Sequence, residues 1–283
     1  MGTSFVAKSG SKAEPAQKSY RKILEQEITE GLKELDRGTA GLFISGISAG
    51  LDLGFSLLMM GVASTLRHPA TNSPPGGILV AAMSSVGFIF VVLGRSELFT
   101  EHTTRAVYPV LMGRASGMLL LRLWVTIYAA NLVGIATFAK LTTIIGPALG
   151  VVAPDAFDRI AHNLIDHPWW VLLLSGVLAG WLMGLLSWLV TAGRDTISQV
   201  FFVGLITSAI GMCHLHHAIL GTGEVLAAVF SKNGIVLRDY GFFLLWATLG
   251  NIGGGVFFVA LLKFSHVIRG GREGEEVRLD DGK

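Results

Sequence analysis

Charge and cysteine are scarce in this chain. Only 15% of its 283 residues are charged, whereas 51% are hydrophobic. With a mean hydropathy of +0.59, that balance excludes an ordinary soluble domain. Cys213 is the single cysteine, so no intramolecular disulfide can form and the redox compartment is not indicated. No apolar run stands before a cleavage site near the start, and no removable signal peptide is expected. Nor is there a separate soluble module in which catalysis could reside, so the chain reads as no enzyme, without cofactor or metal and with no nucleic-acid partner.

Long apolar runs take up the space instead. About 20 apolar residues cross a bilayer, and six candidate spans follow: Gly41–Leu66, Gly77–Met112, Ser116–Thr142, Pro168–Ala192, Thr196–Ser231 and Tyr240–Val267. Residues 41–267 thus form one transmembrane domain within the lipid bilayer. Residues 1–14 are small and polar, and read as a disordered tail. In 15–40 the apolar residues Tyr20, Ile23, Leu24, Ile28, Leu32 and Leu35 recur at helical spacing, which predicts an amphipathic helix on the cytoplasmic face or against a neighbouring subunit. Residues 268–283 read as a charged, loose tail.

The net charge of +2 matters less than its distribution. Lys8, Lys12, Lys18, Arg21, Lys22, Lys33 and Arg37 precede the first span, and Arg269, Arg272, Arg278 and Lys283 follow the last. The positive-inside rule puts both termini in the cytoplasm.

The chain also repeats itself. Ser45-Gly46 with Gly50 and Gly54 in the first span matches Ser175-Gly176 with Gly180 and Gly184 in the fourth. Asn131-Leu132-Val133-Gly134 in the third matches Asn251-Ile252-Gly253-Gly254 in the sixth. Three spans per half force the second half into inverted topology. The glycine faces around Gly50 and Gly180, and the residues Asn131 and Asn251, read as helix-packing positions.

The second and fifth spans are too long for one helix, and each carries a polar interruption. The first, Gly94 to Thr104, contains Glu97, Leu98, Phe99 and Thr100; the second runs from Gly211 to His217. Uncompensated polar groups at membrane depth cost several kcal/mol, so these breaks line water or bury themselves in protein. Paired broken helices at matching places mark a transport site. Leu98 and Phe99 between hydroxyl residues suit a constriction that gates by dewetting, while Glu97 either serves the permeant or pins the loop. Of the three histidines His214, His216 and His217, His214 is the preferred central residue and His217 its alternative. A cationic imidazole attracts an anion or lends it a proton, so that a weak acid crosses as a neutral molecule.

These residues resemble the formate/nitrite transporter family of bacterial channels for small monovalent anions, from about Pro15 to Val267. The resemblance rests on Glu97-Leu98-Phe99-Thr100, Asn131-Leu132-Val133-Gly134, the His214 region and Gly250-Asn251-Ile252-Gly253-Gly254. It implies an aquaporin-like all-α protomer with broken second and fifth helices, a homopentamer with one pore per subunit, and the inner membrane. It also implies that Leu98, Phe99 and Thr100 form the constriction loop, that Phe88 narrows the cytoplasmic side, and that Thr207 stands where an aromatic residue usually closes the outer side. The chain departs from the family where Gly-Phe-Glu-His-Ser becomes Gly211-Met212-Cys213-His214-Leu215, with Ala218 where an asparagine is usual, and where Gly180 replaces an asparagine. A lysine usual before the fourth span is missing; Arg159, His162, Asp166 and His167 lie nearby. The function expected is passage of a small monovalent anion or its neutral acid. The alternatives are a neutral-solute channel, which lacks the twin Asn-Pro-Ala motifs of aquaporins, and a metalloprotein with His214, His216 and His217 as ligands.

Overall fold

The computed structural model describes residues 17–66, 74–232 and 234–269. The expected tail 1–14, and all of the expected tail 268–283 after Arg269, lie outside the described residues. Every regular element within them is helical: α1 (Tyr20–Asp36), α2 (Thr39–Leu66), α3 (Pro74–Met83), α4 (Ser85–Gly94), α5 (Phe99–His102), α6 (Val107–Leu111), α7 (Gly117–Ala148), α8 (Ala156–Ile165), α9 (Trp169–Ala192), α10 (Thr196–Met212), α11 (Ala218–Ser231) and α12 (Leu237–Gly253), which runs through a π-helical segment (Gly254–Leu261) into α13 (Leu262–Arg269).

Among the described residues five helical stretches are long and apolar enough to cross a membrane: Thr39–Leu66, Gly77–Gly94, Gly117–Ala148, Trp169–Ala192 and Leu237–Arg269. Two shorter apolar helices, α10 and α11, follow one another in the second half. Large apolar side chains such as Ile44, Met118, Leu174, Ile197 and Phe257 are exposed. In water such a surface would aggregate, whereas lipid solvates it.

Small residues set how closely the helices approach. The Gly46, Gly50 and Gly54 face of α2 lies on α7, and the Gly176, Gly180 and Gly184 face of α9 lies on α12 and the π segment. At Gly50 a Cβ atom would collide with the carbonyl of Asn131, and at Gly180 with that of Asn251. Backbone fills the space on the far side of both, so no side chain fits there.

α1 folds back onto its own chain. Ser19 caps it, accepting the Lys22 N–H at 3.2 Å. Its buried Ile23, Leu24 and Ile28 share a core with Val107, Tyr108, Trp188, Ala260 and Val267. Each such side chain contributes about 1.5–3 kcal/mol when fully buried. Its buried Glu27 accepts hydrogen bonds from Ser187 at 3.0 Å and from Thr191, and pairs with Arg105 at 3.5 Å.

α8 was not among the predicted elements. Phe157, Ile160, Ala161 and Leu164 are buried at the spacing of one helix face. The signal was in the sequence, but α8 is only 10 residues long, too short to register as a span.

Candidate functional site

Two gaps in the helices, after α4 and after α10, are built to one plan. Past Gly94, Arg95 takes the left-handed conformation with φ 55°. The Ser96 N–H then reaches back to the Val91 carbonyl at 3.0 Å, and Arg95 N–H to Val92 at 3.4 Å. Past Met212, His214 has φ 49°. Leu215 N–H bonds to Ile210 at 3.0 Å and His214 N–H to Gly211 at 3.2 Å. That pair of bonds is a Schellman closure, which satisfies carbonyls a helix end leaves open.

The parallel continues through the loops. Glu97 N–H donates to Ser45 Oγ at 3.2 Å, and His216 N–H to Ser175 Oγ at 3.1 Å. Asn131 Nδ2 donates to Gly46 O at 2.8 Å and Glu97 O at 2.9 Å, while its Oδ1 accepts Phe99 N–H at 2.9 Å. Asn251 Nδ2 donates to Gly176 O at 2.9 Å and His216 O at 2.8 Å, while its Oδ1 accepts Ala218 N–H at 2.8 Å. Each asparagine therefore ties a loop to the helix opposite it, beyond the packing role read from the sequence. Leu98 and His217 occupy equivalent extended positions, each immediately before the next helix.

The two candidate histidines take different places. His214 is exposed and serves the helix closure, as Arg95 does in the first half. His217 is buried, and its Nε2 lies 2.9 Å from Thr100 Oγ1 in the first loop. Its Nδ1 accepts the Leu220 N–H at 3.1 Å, so the neutral ring carries its proton on Nε2, which donates to Thr100. Phe88 stands edge-on to the His217 ring, with centroids 5.1 Å apart. Of the two, His217 is the one that meets the first loop. Counted from His217, the position four residues on is Gly221, not Ala218.

Two cavities flank this contact. One, of about 270 Å³, lies against α8 and is lined by Phe88, Arg159, Thr207, His214, His217 and Glu224 among others. The other, of about 610 Å³, lies against α1 and is lined by Arg37, Arg95, Arg105, Glu34, Glu97 and Glu101 among others. Leu98 and Thr100 are fully buried and line neither. They sit between Glu97 on the α1 side and His217 on the α8 side.

The remaining candidate residues take these places. Phe88 lines the cavity against α8. The Phe99 ring packs edge-on against Trp124 and Tyr128 of α7, at 6.1 and 4.8 Å. Leu98 is extended whereas Phe99 begins α5, so their side chains diverge. Glu97 is pinned: its carboxylate pairs with Arg37 at 2.6 Å and with His102. Thr207 is buried on the wall of the α8-side cavity and donates to Val203 O at 2.7 Å in its own helix.

Outside the spans, Arg37 at the end of α1 also bonds Glu34 at 2.7 Å. Burial, then repulsion from Glu97, raises the Glu34 carboxyl above its ordinary value. Both rings beside His214 are engaged in hydrogen bonds, His216 through Ser175 Oγ at 2.7 Å and Leu164 O at 2.9 Å. Among the described residues no group of three or more His, Cys, Asp or Glu side chains is placed to hold a metal ion. The histidine-cluster alternative therefore lacks its ligand geometry. Two things went unread in the sequence: the Ser45 and Ser175 hydroxyls that hold the loops, although both stood in the repeat, and Glu224 on the cavity wall that Arg159 shares.

Comparison with known proteins agrees with this architecture. The family described as Formate/nitrite transporter matches residues 21–265. The chain is 30% identical to "Inner membrane protein YfdC" of Escherichia coli over 250 residues, covering 87% of this chain and 78% of that one. It is 26% identical to "Nitrite transporter NirC" of the same organism, covering 78% of this chain and 81% of the relative. Among solved structures, an "FNT family ion channel" superposes with a TM-score of 0.76 at 22% identity, covering 84% of this chain and 96% of the other. A "Pentameric formate channel with formate bound" gives 0.66 at 21% identity, covering 79% and 95%. With a family match across most of its length and the fold of such channels, this multi-pass membrane protein belongs to the formate/nitrite transporter family.

Proposed function

We propose that this chain is a six-span channel for a small monovalent anion or its neutral acid, built from two inverted three-helix repeats with broken second and fifth spans. The observation that carries the reading is the hydrogen bond between His217 and Thr100, made by two loops between two cavities. In this reading Phe88, Leu98, Thr100 and His217 form the constriction, Thr207 lines the outer approach, and Glu97 holds the loop in place. The α1-side cavity is cytoplasmic, because α1 and the basic residues flanking the first span lie on that side. The chain works in the inner (cytoplasmic) membrane, with both termini cytoplasmic, as a homopentamer. The formate channel noted above is described as pentameric, and relatives are named for nitrite and for the inner membrane.

The role of His217 follows from its hydrogen bonds. A polar group is costly at membrane depth unless satisfied, and Thr100 and the Leu220 N–H satisfy both ring nitrogens. A permeant that displaces Thr100 meets a ready N–H donor at Nε2 in a dry site, where such a bond is stronger than in water. The imidazolium read from the sequence would need a proton on Nδ1, at the cost of the Leu220 bond and against the positive end of α11. His217 therefore acts as a neutral donor that selects for an acceptor-bearing solute.

Flux of formate, nitrite, acetate, lactate and hydrosulfide into proteoliposomes tests the reading. Wild type should pass the smallest of these. His217→Ala should change that flux about tenfold or more, the equivalent of one hydrogen bond of roughly 1.4 kcal/mol. Equal flux in wild type and empty liposomes for every solute would overturn it.

A further inference from the structure

We infer that Glu224 is the proton-exchanging group of the α8-side cavity, handing a proton to a permeating weak-acid anion before it meets His217. This rests on the channel reading above and adds to it the place where protons enter. His217, Leu220, Gly221 and Glu224 all line that cavity. At spacings of three, four and seven residues they form one face of α11, which puts Glu224 about 10 Å along the axis from His217. Glu224 is 8% exposed, and the exposed His214 lines the same cavity. The wall about it is mixed, with the apolar Met60, Val80 and Ile160 beside the polar Ser64, Ser84 and Asn163.

No described residue claims this carboxyl in a hydrogen bond or ion pair. The charged groups nearby are engaged elsewhere or stand apart. Arg159 on α8 pairs with Asp155 and donates to Ser64 O at 2.9 Å. His217 is committed at both nitrogens, and His214 lies at the mouth. Lys140 of α7 sits over the Phe230 ring at 5.4 Å, and His102 of α5 is tied to Glu97. On α2 the lining residues are Met60 and Ser64, neither titratable in this range.

Chemistry then favours a shared proton. A small anion that enters the cavity of about 270 Å³ is confined with Glu224. Two carboxylates at one site cannot both stay ionised cheaply, and such a pair holds a proton between them. The O–H bond of protonated Glu224 breaks as an O–H bond to the permeant forms. Glu224 is left as carboxylate, and the neutral acid moves on past the apolar Phe88 and Leu98. Water in the cavity then returns a proton from the outer solution, so one proton enters with each anion. A purely structural Glu224 would fill the same space without exchanging a proton.

The test is formate uptake into pentamer-containing proteoliposomes across pH, with internal pH recorded. Wild type should show uptake that rises as the outer solution is acidified, with protons entering alongside. Glu224→Gln keeps shape and hydrogen bonding, and should lose that acid stimulation by at least about tenfold. If Glu224→Gln follows wild type at every pH, this inference falls while the channel reading stands; if wild type carries no formate or other weak acid at any pH, the channel reading itself falls. Should Glu224→Gln fail to assemble, infrared difference spectra on adding formate decide. A protonated-carboxyl band that responds to formate and is displaced in Glu224→Asp supports the assignment; no such band overturns it.

Discussion

Asn131 and Asn251 make the same three hydrogen bonds, each to a glycine carbonyl of the helix opposite, a loop carbonyl, and the N–H that starts the next helix. Both are fully buried. One amide thus replaces the ladder bonds lost where the backbone leaves its helix, which apolar surroundings would otherwise leave unpaired.

Replacing either asparagine by leucine should unsatisfy three buried backbone groups at once. At about 1–3 kcal/mol per group, the expected loss is a large part of the protein's stability. Thermal unfolding in detergent, read as a fall in Tm, measures it. Asn131→Asp retains an acceptor for the Phe99 N–H but loses both donated bonds, and should fall between wild type and Asn131→Leu.

Gly50→Ala and Gly180→Ala should each separate a helix pair. The added methyl at Gly50 would stand 2.7 Å from Ile135 N, and that at Gly180 2.7 Å from Asn251 Cα. Backbone cannot rotate away, so overpacking of about 1–3 kcal/mol is expected. Gly204→Ala and Gly241→Ala, with open space at the same atom, are the controls and should leave Tm unchanged.

Arg95 and His214 both hold left-handed backbone at helix ends, where glycine costs less. Arg95→Gly and His214→Gly should each gain roughly 1 kcal/mol in thermal stability. Formate flux through His214→Gly should stay near that of wild type, whereas His217→Ala should not. A large flux defect in His214→Gly would return the central role to His214.

Glu34 gives α1 a pH response. Its folded-state pKa is raised above the ordinary 4.5 by burial and then by Glu97, so the folded protein holds this proton more tightly than the unfolded chain. Stability then falls as pH rises from 4.5 through the raised value. Glu34→Gln should flatten that slope and raise Tm at neutral pH. Arg37→Ala, which strips Glu34 and Glu97 of their shared cation, should steepen it. Melting curves across pH distinguish the two.

Much of the architecture was legible because bilayer solvation acts on composition. Apolar runs around Thr39–Leu66 and Trp169–Ala192 are long enough to cross lipid, and repeated Ser-Gly and Asn-Gly segments showed in the bare sequence as two similar halves. The same helical periodicity that marked α1 was present in α8, overlooked for its shortness. Which of two nearby histidines meets Thr100 was beyond sequence. His214 and His217 are equally polar, and both lie in the break. Only the closure of α10 decides that His214 turns outward in left-handed backbone while His217 starts α11 inside. Phe99 is a related case: a change from extended to helical backbone between adjacent residues sends two neighbouring side chains to different walls. Sequence by itself determined the apolar runs, the repeat and the polar residues at each break, because these depend on transfer from water to lipid. Tertiary structure decided which of those polar groups meet and which line a cavity, because hydrogen bonds depend on direction as well as on residue type.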